Sequence, residues 1–343
     1  MRAVRVHQYG RAPIVDEVPE PELTGPGDVI VKVGGAGICR TDIHILHGEL
    51  AAAMGPTLPY TIGHENAGWV HAVGEGVTHL AAGDTVILHP QASCGVCLAC
   101  RAGRDMQCTG DFFLPGITNH QGGMADYMRT AARACVKLRP DTIPAEVAAL
   151  ADAGLSAYHA VRKAIPLLHP GTTAVVQGFG GLGHIGMQCL AAMTAARIIV
   201  VDSNPAALDL ARTLGVTETV IAEGTHVEKV RELTEGRGGD VVFDFVAEHG
   251  AENDAYAMTA PAGSHYVVGY GGELHAATID LVTGERNVVG NSVGTFNDLA
   301  ELMVLAELGR VTLHTKQYAL EDAAQAFADV ENGRVRGRAI LVP

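Results

Sequence analysis

TAVVQGFGGLGHIGMQCLAAMTAARIIVVD, residues 173–202, decides the fold class. It opens on a five-residue run suited to a buried strand, turns through glycines, continues as an apolar helical stretch and ends in a second apolar run closed by Asp202. Strand, turn, helix and strand in succession build parallel sheets covered on both faces. The turn, Gly178-Phe179-Gly180-Gly181-Leu182-Gly183, satisfies G-x-G-x-x-G in the context that gives this pattern its meaning. Gly178 permits the tight turn, Gly180 lets backbone approach a pyrophosphate, and Gly183 lets helix and strand pack closely. The helix start then offers free N–H groups to phosphates. Asp202 stands where a carboxylate accepts hydrogen bonds from ribose hydroxyls and repels a 2′-phosphate; Ser203 and Asn204 follow it, with no Arg or Lys beside them. This favours NAD over NADP. Glycines that serve only chain packing are the alternative.

Downstream, DVVFDFV (240–246), SHYVVGY (264–270) and NVVGNSVG (287–294) read as further buried strands, with helical segments at 205–215 and 226–236 between. The tail returns to a helix near 321–331 and a strand in GRAILVP. Upstream the texture changes. DVIVKVGGAG (28–37), AGWVHAVGEGV (67–77) and GDTVILHP (83–90) are short β-prone runs punctuated by glycine, the pattern of an antiparallel barrel or sandwich. Cys135 is expected in a strand, and Cys189 and His184 packed within the first helix after the glycine turn. No internal repeat or low-complexity linker is evident.

The 343 residues suggest about two domains. Lys plus Arg number 24 against 38 Asp plus Glu, and this net charge of −14 repels nucleic acid. The start lacks a signal peptide's apolar stretch, and no apolar run is long enough for a membrane span. The expectation is a cytoplasmic protein whose thiols stay reduced.

That matters for SCGVCLACRAGRDMQC (93–108), which holds four of the seven cysteines, Cys94, Cys97, Cys100 and Cys108. Four thiolates in one loop can enclose a tetrahedral Zn²⁺ and leave no position for water, so such an ion is structural. A redox pair would need C-x-x-C at a helix start after a strand and leaves two cysteines unexplained. A nucleic-acid-binding zinc ribbon conflicts with the acidic balance.

Two further patches carry ligand-type residues: Cys39-Arg40-Thr41-Asp42-Ile43-His44 and Gly63-His64-Glu65-Asn66-Ala67-Gly68. Each alone is weak. With G-D-x-V at 83–86, the four cysteines and the glycine turn, the chain resembles the zinc-dependent medium-chain alcohol dehydrogenases over essentially its whole length, in particular the bacterial secondary-alcohol type.

The resemblance implies a GroES-like, partly open β-barrel catalytic domain at 1–153 and 291–343, and a Rossmann NAD-binding domain with a doubly wound parallel sheet at 154–290. The active site would lie in the cleft between them. A catalytic zinc would be held by Cys39, His64 and Asp152, where many relatives carry Cys; a helix N-cap is the other reading of Asp152. Glu65 would lie beside the ion and Asp42 would orient His64. Thr41 would take the alcohol proton and pass it through the nicotinamide ribose to His44. Arg40 and Arg338 match positions on the pyrophosphate, and Val268 and Gly269 border the nicotinamide. The implied cofactors are NAD and two zinc ions per chain. The implied reaction oxidises secondary, hydrophobic alcohols reversibly to ketones or aldehydes. The strand at 287–294 would pair edge to edge with a second copy in a dimer or tetramer. A polyol dehydrogenase of the same fold, a zinc-free quinone reductase and a non-catalytic zinc-binding protein are the alternatives.

Overall fold

The structure, a computed structural model, describes residues 1–51 and 54–343. The chain divides into two compact units, one of Met1–Leu155, Gly294–Met303 and Leu313–Pro343, the other of Ser156–Val293 and Val304–Thr312. The expected domain limits assign all of 291–343 to the first domain; here Val304–Thr312 clusters with the second.

The first unit begins with β1 (Arg2–Val6), β2 (Ile14–Glu17), β3 (Asp28–Gly37), α1 (Arg40–His47), β4 (Tyr60–Thr61), β5 (Glu65–Val73), β6 (Thr85–Leu88), β7 (Tyr127–Ala131) and β8 (Cys135–Lys137). β3 is the hub. It pairs antiparallel with β5, from Val29 opposite Val73 to Gly37 opposite Glu65, and with β7. β6 and β8 extend the sheet beyond β5, while β1, β2 and β4 form a small sheet of their own. Val4, Val31, Ile38, Ile62, Leu88 and Leu341 pack into one core. β3 ends in small residues for a steric reason. A Cβ at Gly37 would collide with the Glu65 carboxylate, and one at Gly35 would lie 2.6 Å from Ala145 Cα.

The second unit follows α2 (Ala153–Ala164) with β9 (Thr173–Gln177), α3 (Gly183–Met193), β10 (Arg197–Asp202), α4 (Pro205–Thr213), β11 (Glu218–Ile221), α5 (His226–Leu233), β12 (Gly239–Asp244), α6 (Ala251–Met258), β13 (Thr259–Val267), α7 (Thr278–Gly284) and β14 (Asn287–Gly290). The strands are parallel in the order β11-β10-β9-β12-β13-β14, with the chain reversing direction across the sheet between β9 and β12. Strands buried on both faces need unbroken apolar runs rather than alternation, which is why Val175, Ile199, Val201, Val220 and Val242 share a core. Cys189 and His184 are buried on α3.

After α8 (Phe296–Glu307) the chain returns to the first sheet with β15 (Thr315–Ala319), α9 (Ala323–Glu331) and β16 (Arg338–Val342). β16 pairs antiparallel with β3 and parallel with β15. This late strand brings Arg338 to the start of β5. Among the described residues, no helix is long and apolar enough to cross a membrane.

Candidate metal centres and nucleotide turn

Among the described residues, the first unit holds two clusters of metal-ligating side chains. Cys94, Cys97, Cys100 and Cys108 bring their sulfurs within 4.8 Å of one another. Cys94 Sγ lies 4.0 Å from Cys100 Sγ, and Cys97 Sγ 4.0 Å from Cys108 Sγ. Thiolates at about 2.3 Å from a tetrahedral ion stand about 3.8 Å apart, so the loop fits zinc. Backbone N–H groups point inward: that of Cys97 donates to Cys94 Sγ and that of Cys94 to Cys108 Sγ, both at 3.4 Å. Such donors stabilise thiolate. Those of Cys100 and Thr109 pull the Cys97 thiol down to about 5.

The second cluster is fully enclosed. Cys39, His64, Glu65 and Asp152 each place a donor atom within 4.8 Å of the others. Asp152 Oδ2 lies 3.6 Å from Cys39 Sγ and 3.2 Å from His64 Nε2. Ligands at about 2.0–2.3 Å from a tetrahedral ion have edges of about 3.3–3.8 Å, and the two edges from Asp152 lie close to that range. Local structure sets each of them. Cys39 is the N-cap of α1, where Asp42 Oδ2 accepts from Cys39 N at 2.8 Å. The other oxygen of Asp42 faces His64 Nδ1 at 3.3 Å, which aims Nε2 at Asp152. His64 immediately precedes β5, and Asp152 immediately precedes α2. The fully buried Asp42 therefore caps a helix and orients a ligand at once.

Glu65 and Arg338 close the back of this cluster. Glu65 Oε1 accepts from Ala153 N at 3.1 Å, and Oε2 accepts from Arg338 Nη2. Burial pushes the Glu65 carboxyl up to about 7 against the pull of Arg338. Arg338 is 5 % exposed and donates through Nη2 to Glu65, while its Nε has no hydrogen-bond partner. Arg40 is exposed on α1. Thr41 and His44 lie one helical turn apart on the same helix, and His44 Nδ1 meets Glu49.

In the second unit the glycine turn joins β9 to α3. Gly178 has φ +85°, and a Cβ on Gly183 would strike Gly178 O, whereas one on Gly180 would meet nothing within 4 Å. The open side at Gly180 is where a pyrophosphate can approach. Asp202, at the end of β10, accepts from Phe179 N at 2.5 Å and from Asn204 N at 2.7 Å. Val268 and Gly269 follow β13, and their N–H groups both donate to Asp244 O at 3.0 Å.

Sequence reasoning misses Asp105, one acid among 38. It lies inside the cysteine loop, is buried, and accepts from Ser93 Oγ (3.0 Å), Arg133 Nη2 (3.1 Å) and Phe296 N (3.1 Å). It thereby ties the loop to the start of α8. It also misses the Glu65–Arg338 pair, whose partners are 273 residues apart.

Residues 25–140 match the alcohol dehydrogenase GroES-like domain, and residues 181–307 match the zinc-binding dehydrogenase domain. The chain is 34 % identical over 355 residues to an NAD-dependent alcohol dehydrogenase of Sulfurisphaera tokodaii, with 100 % of both chains covered. It is 31 % identical over 350 residues to a D-arabinose 1-dehydrogenase (NADP(+)) of Saccharolobus solfataricus, covering 100 % of this chain and 97 % of that one. The crystal structure of an alcohol dehydrogenase from Aeropyrum pernix superposes with a TM-score of 0.97 at 42 % identity, 100 % of each chain being covered. Likeness across both units and the full length of these relatives places the chain in the zinc-dependent medium-chain alcohol dehydrogenase family.

Proposed function

We propose that this enzyme is an NAD-dependent alcohol dehydrogenase that interconverts secondary, hydrophobic alcohols and their carbonyl products. The observation that carries the reading is the convergence of Cys39, His64 and Asp152 within 4.8 Å of one another, with Asp152 Oδ2 3.6 Å from Cys39 Sγ and 3.2 Å from His64 Nε2. Three protein ligands leave the fourth position for a substrate oxygen, the arrangement of catalytic rather than structural zinc. When bound, zinc supplies the Lewis acidity that lets an alcohol lose its proton near neutral pH, and NAD accepts the hydride.

The protein's own residues do the rest. Asp42 holds the His64 ring and keeps Nε2 directed at the ion position. Glu65, neutralised by Arg338, adds little net charge next to that position. The Thr41 hydroxyl accepts the proton of the substrate hydroxyl as it gives up its own, and His44, backed by Glu49, carries the released proton toward solvent. Asp202, placed at the end of β10 with no cationic neighbour in sequence, supports NAD over NADP.

A polyol or sugar dehydrogenase is the second reading, favoured by the likeness to the D-arabinose enzyme. The complete set of four cysteines and the apolar run Phe112, Phe113 and Leu114 support simple alcohols. Initial rates with NAD and with NADP on secondary alcohols, benzylic alcohols, polyols and aldoses test this. Fastest NAD-linked turnover of secondary alcohols is expected; turnover confined to polyols or aldoses would overturn it.

The assembly is proposed to be a homodimer or tetramer. β14 is an outer strand whose Val288 is exposed, and α7 presents Ile279 and Val282 to solvent. Edge-to-edge pairing of two copies would cover both. Light scattering should give at least a dimer, and a monomer at micromolar concentration would refute it. A cytoplasmic setting is proposed from the seven free cysteines.

A further inference from the structure

We propose that Asp244, with His265 behind it, is the positioning pair that fixes the floor of the dinucleotide crevice. In an open parallel sheet, ligands bind outside the carboxyl ends of the strands where the strand order reverses. Here that point lies between β9 and β12. β9 leads into Gly178, and β12 ends at Asp244 and leads into Phe245–Ala247. That short segment is clamped from two sides. A Cβ on Gly178 would lie 2.5 Å from Val246 Cγ2, and one on Gly269 would strike the Val246 carbonyl. Two glycines are therefore needed because Val246 stands between them.

Asp244 holds the segment in place. Its Oδ1 accepts from Val246 N at 3.0 Å and from Ala247 N at 2.9 Å. Its backbone carbonyl accepts from Val268 N and Gly269 N. Ala247 adopts φ +47°, a left-handed conformation unfavourable to a non-glycine residue that persists only where surrounding bonds impose it. Gly272 N donates to Ala247 O at 2.8 Å, which fixes the far side of the turn. The carboxylate thus organises the chain after β12, and the backbone carbonyl of the same residue ties in the chain after β13.

The second oxygen of Asp244 has no hydrogen-bond partner, and neither ring nitrogen of His265 has one. Both residues are fully buried on adjacent strands, with His265 Nε2 3.5 Å from Asp244 Oδ2. An isolated polar pair at this depth is costly in a sheet of valines. Its persistence is explained if it keeps the carboxylate turned toward Val246 and Ala247. No substrate contact is required of either side chain; the pair acts through the segment it holds.

The inference rests on the NAD reading, and the experiment separates the two. NADH binding to the zinc-loaded enzyme is titrated by nicotinamide fluorescence for wild type, Asp244→Ala, Asp244→Asn and His265→Phe, with thermal melts alongside. Asp244→Ala should raise the Kd for NADH and the KM for NAD by about tenfold, with kcat changing far less. Asp244→Asn, whose amide oxygen still accepts both N–H groups, should restore most of that affinity. His265→Phe should weaken NADH by several fold. A wild type that binds no NADH overturns the cofactor reading and this inference together. A wild type that binds, with a folded Asp244→Ala or His265→Phe that binds equally well at a lowered melting temperature, overturns the positioning role alone.

Discussion

Asp42→Ala removes two contacts of one carboxylate with different consequences. Oδ2 caps α1 through Cys39 N, and Oδ1 faces His64 Nδ1. Loss of a cap costs about 1 kcal/mol, and a buried N–H left unmet at Cys39 costs about 1–3 kcal/mol. Loss of the outer partner of a metal-bound histidine weakens metal affinity by about 10- to 100-fold, equivalent to about 1.4–2.7 kcal/mol. The contacts of Asp42 are with Cys39 and His64, so only the ion at Cys39, His64 and Asp152 should loosen. Competition with a chromophoric chelator resolves this as two phases of zinc release. In Asp42→Ala the weaker site should yield its zinc at 10- to 100-fold lower chelator concentration, while the four-cysteine site is unchanged. Asp42→Asn keeps an acceptor for Cys39 N and should fall between. Equal zinc affinity at the weaker site in wild type and Asp42→Ala would refute the reasoning.

Cys97→Ala should remove the zinc of the four-cysteine loop and lower the melting temperature, because the remaining thiolates cannot close a tetrahedron; wild-type melting with full zinc would contradict a structural cage. Asp202→Gly deletes the carboxylate proposed to meet the ribose, with its bond to Phe179 N, and should move the ratio of kcat/KM values toward NADP; an unchanged ratio counts against that contact. Asp329 accepts from Lys316, Tyr318, Arg334 and Gln325, which hold its carboxyl well below the usual carboxylate range. A carboxylate lowered in the folded state stabilises fully above the unfolded value of about 3.9 and loses that contribution as pH falls below it. Urea midpoints between pH 2 and 7 should therefore fall more steeply in acid for wild type than for Asp329→Asn, and parallel curves would remove Asp329 from the account.

What is legible in the sequence is what chemistry places close along the chain. The four cysteines lie within one loop, so spacing alone reveals their cage. The glycine turn is read from strand, turn and helix in direct succession, and the expected strand at 28–37 is β3 residue for residue. Cys39 caps the short helix that carries Asp42 and His44, but nothing local shows that this helix meets His64 and Asp152; only the resemblance supplies that. Contacts across long separations leave no period to read. Arg338 reaches Glu65 because β16 returns to pair with β3, and in sequence it is one arginine near the end of the chain. Asp244 is equally silent, since an acid closing an apolar run resembles Asp202, which closes β10. The chain's second excursion into the second unit, at Val304–Thr312, is invisible because α8 runs through the division between the two units without any break in its apolar pattern.

Anomalous diffraction recorded on both sides of the zinc absorption edge tests the central claim most directly. Two difference peaks per chain are expected, one inside Cys94, Cys97, Cys100 and Cys108, the other within about 2.0–2.3 Å of Cys39 Sγ, His64 Nε2 and Asp152 Oδ2. A peak at the four cysteines alone, from enzyme that turns over an alcohol with NAD, would contradict the claim that Cys39, His64 and Asp152 hold the catalytic ion.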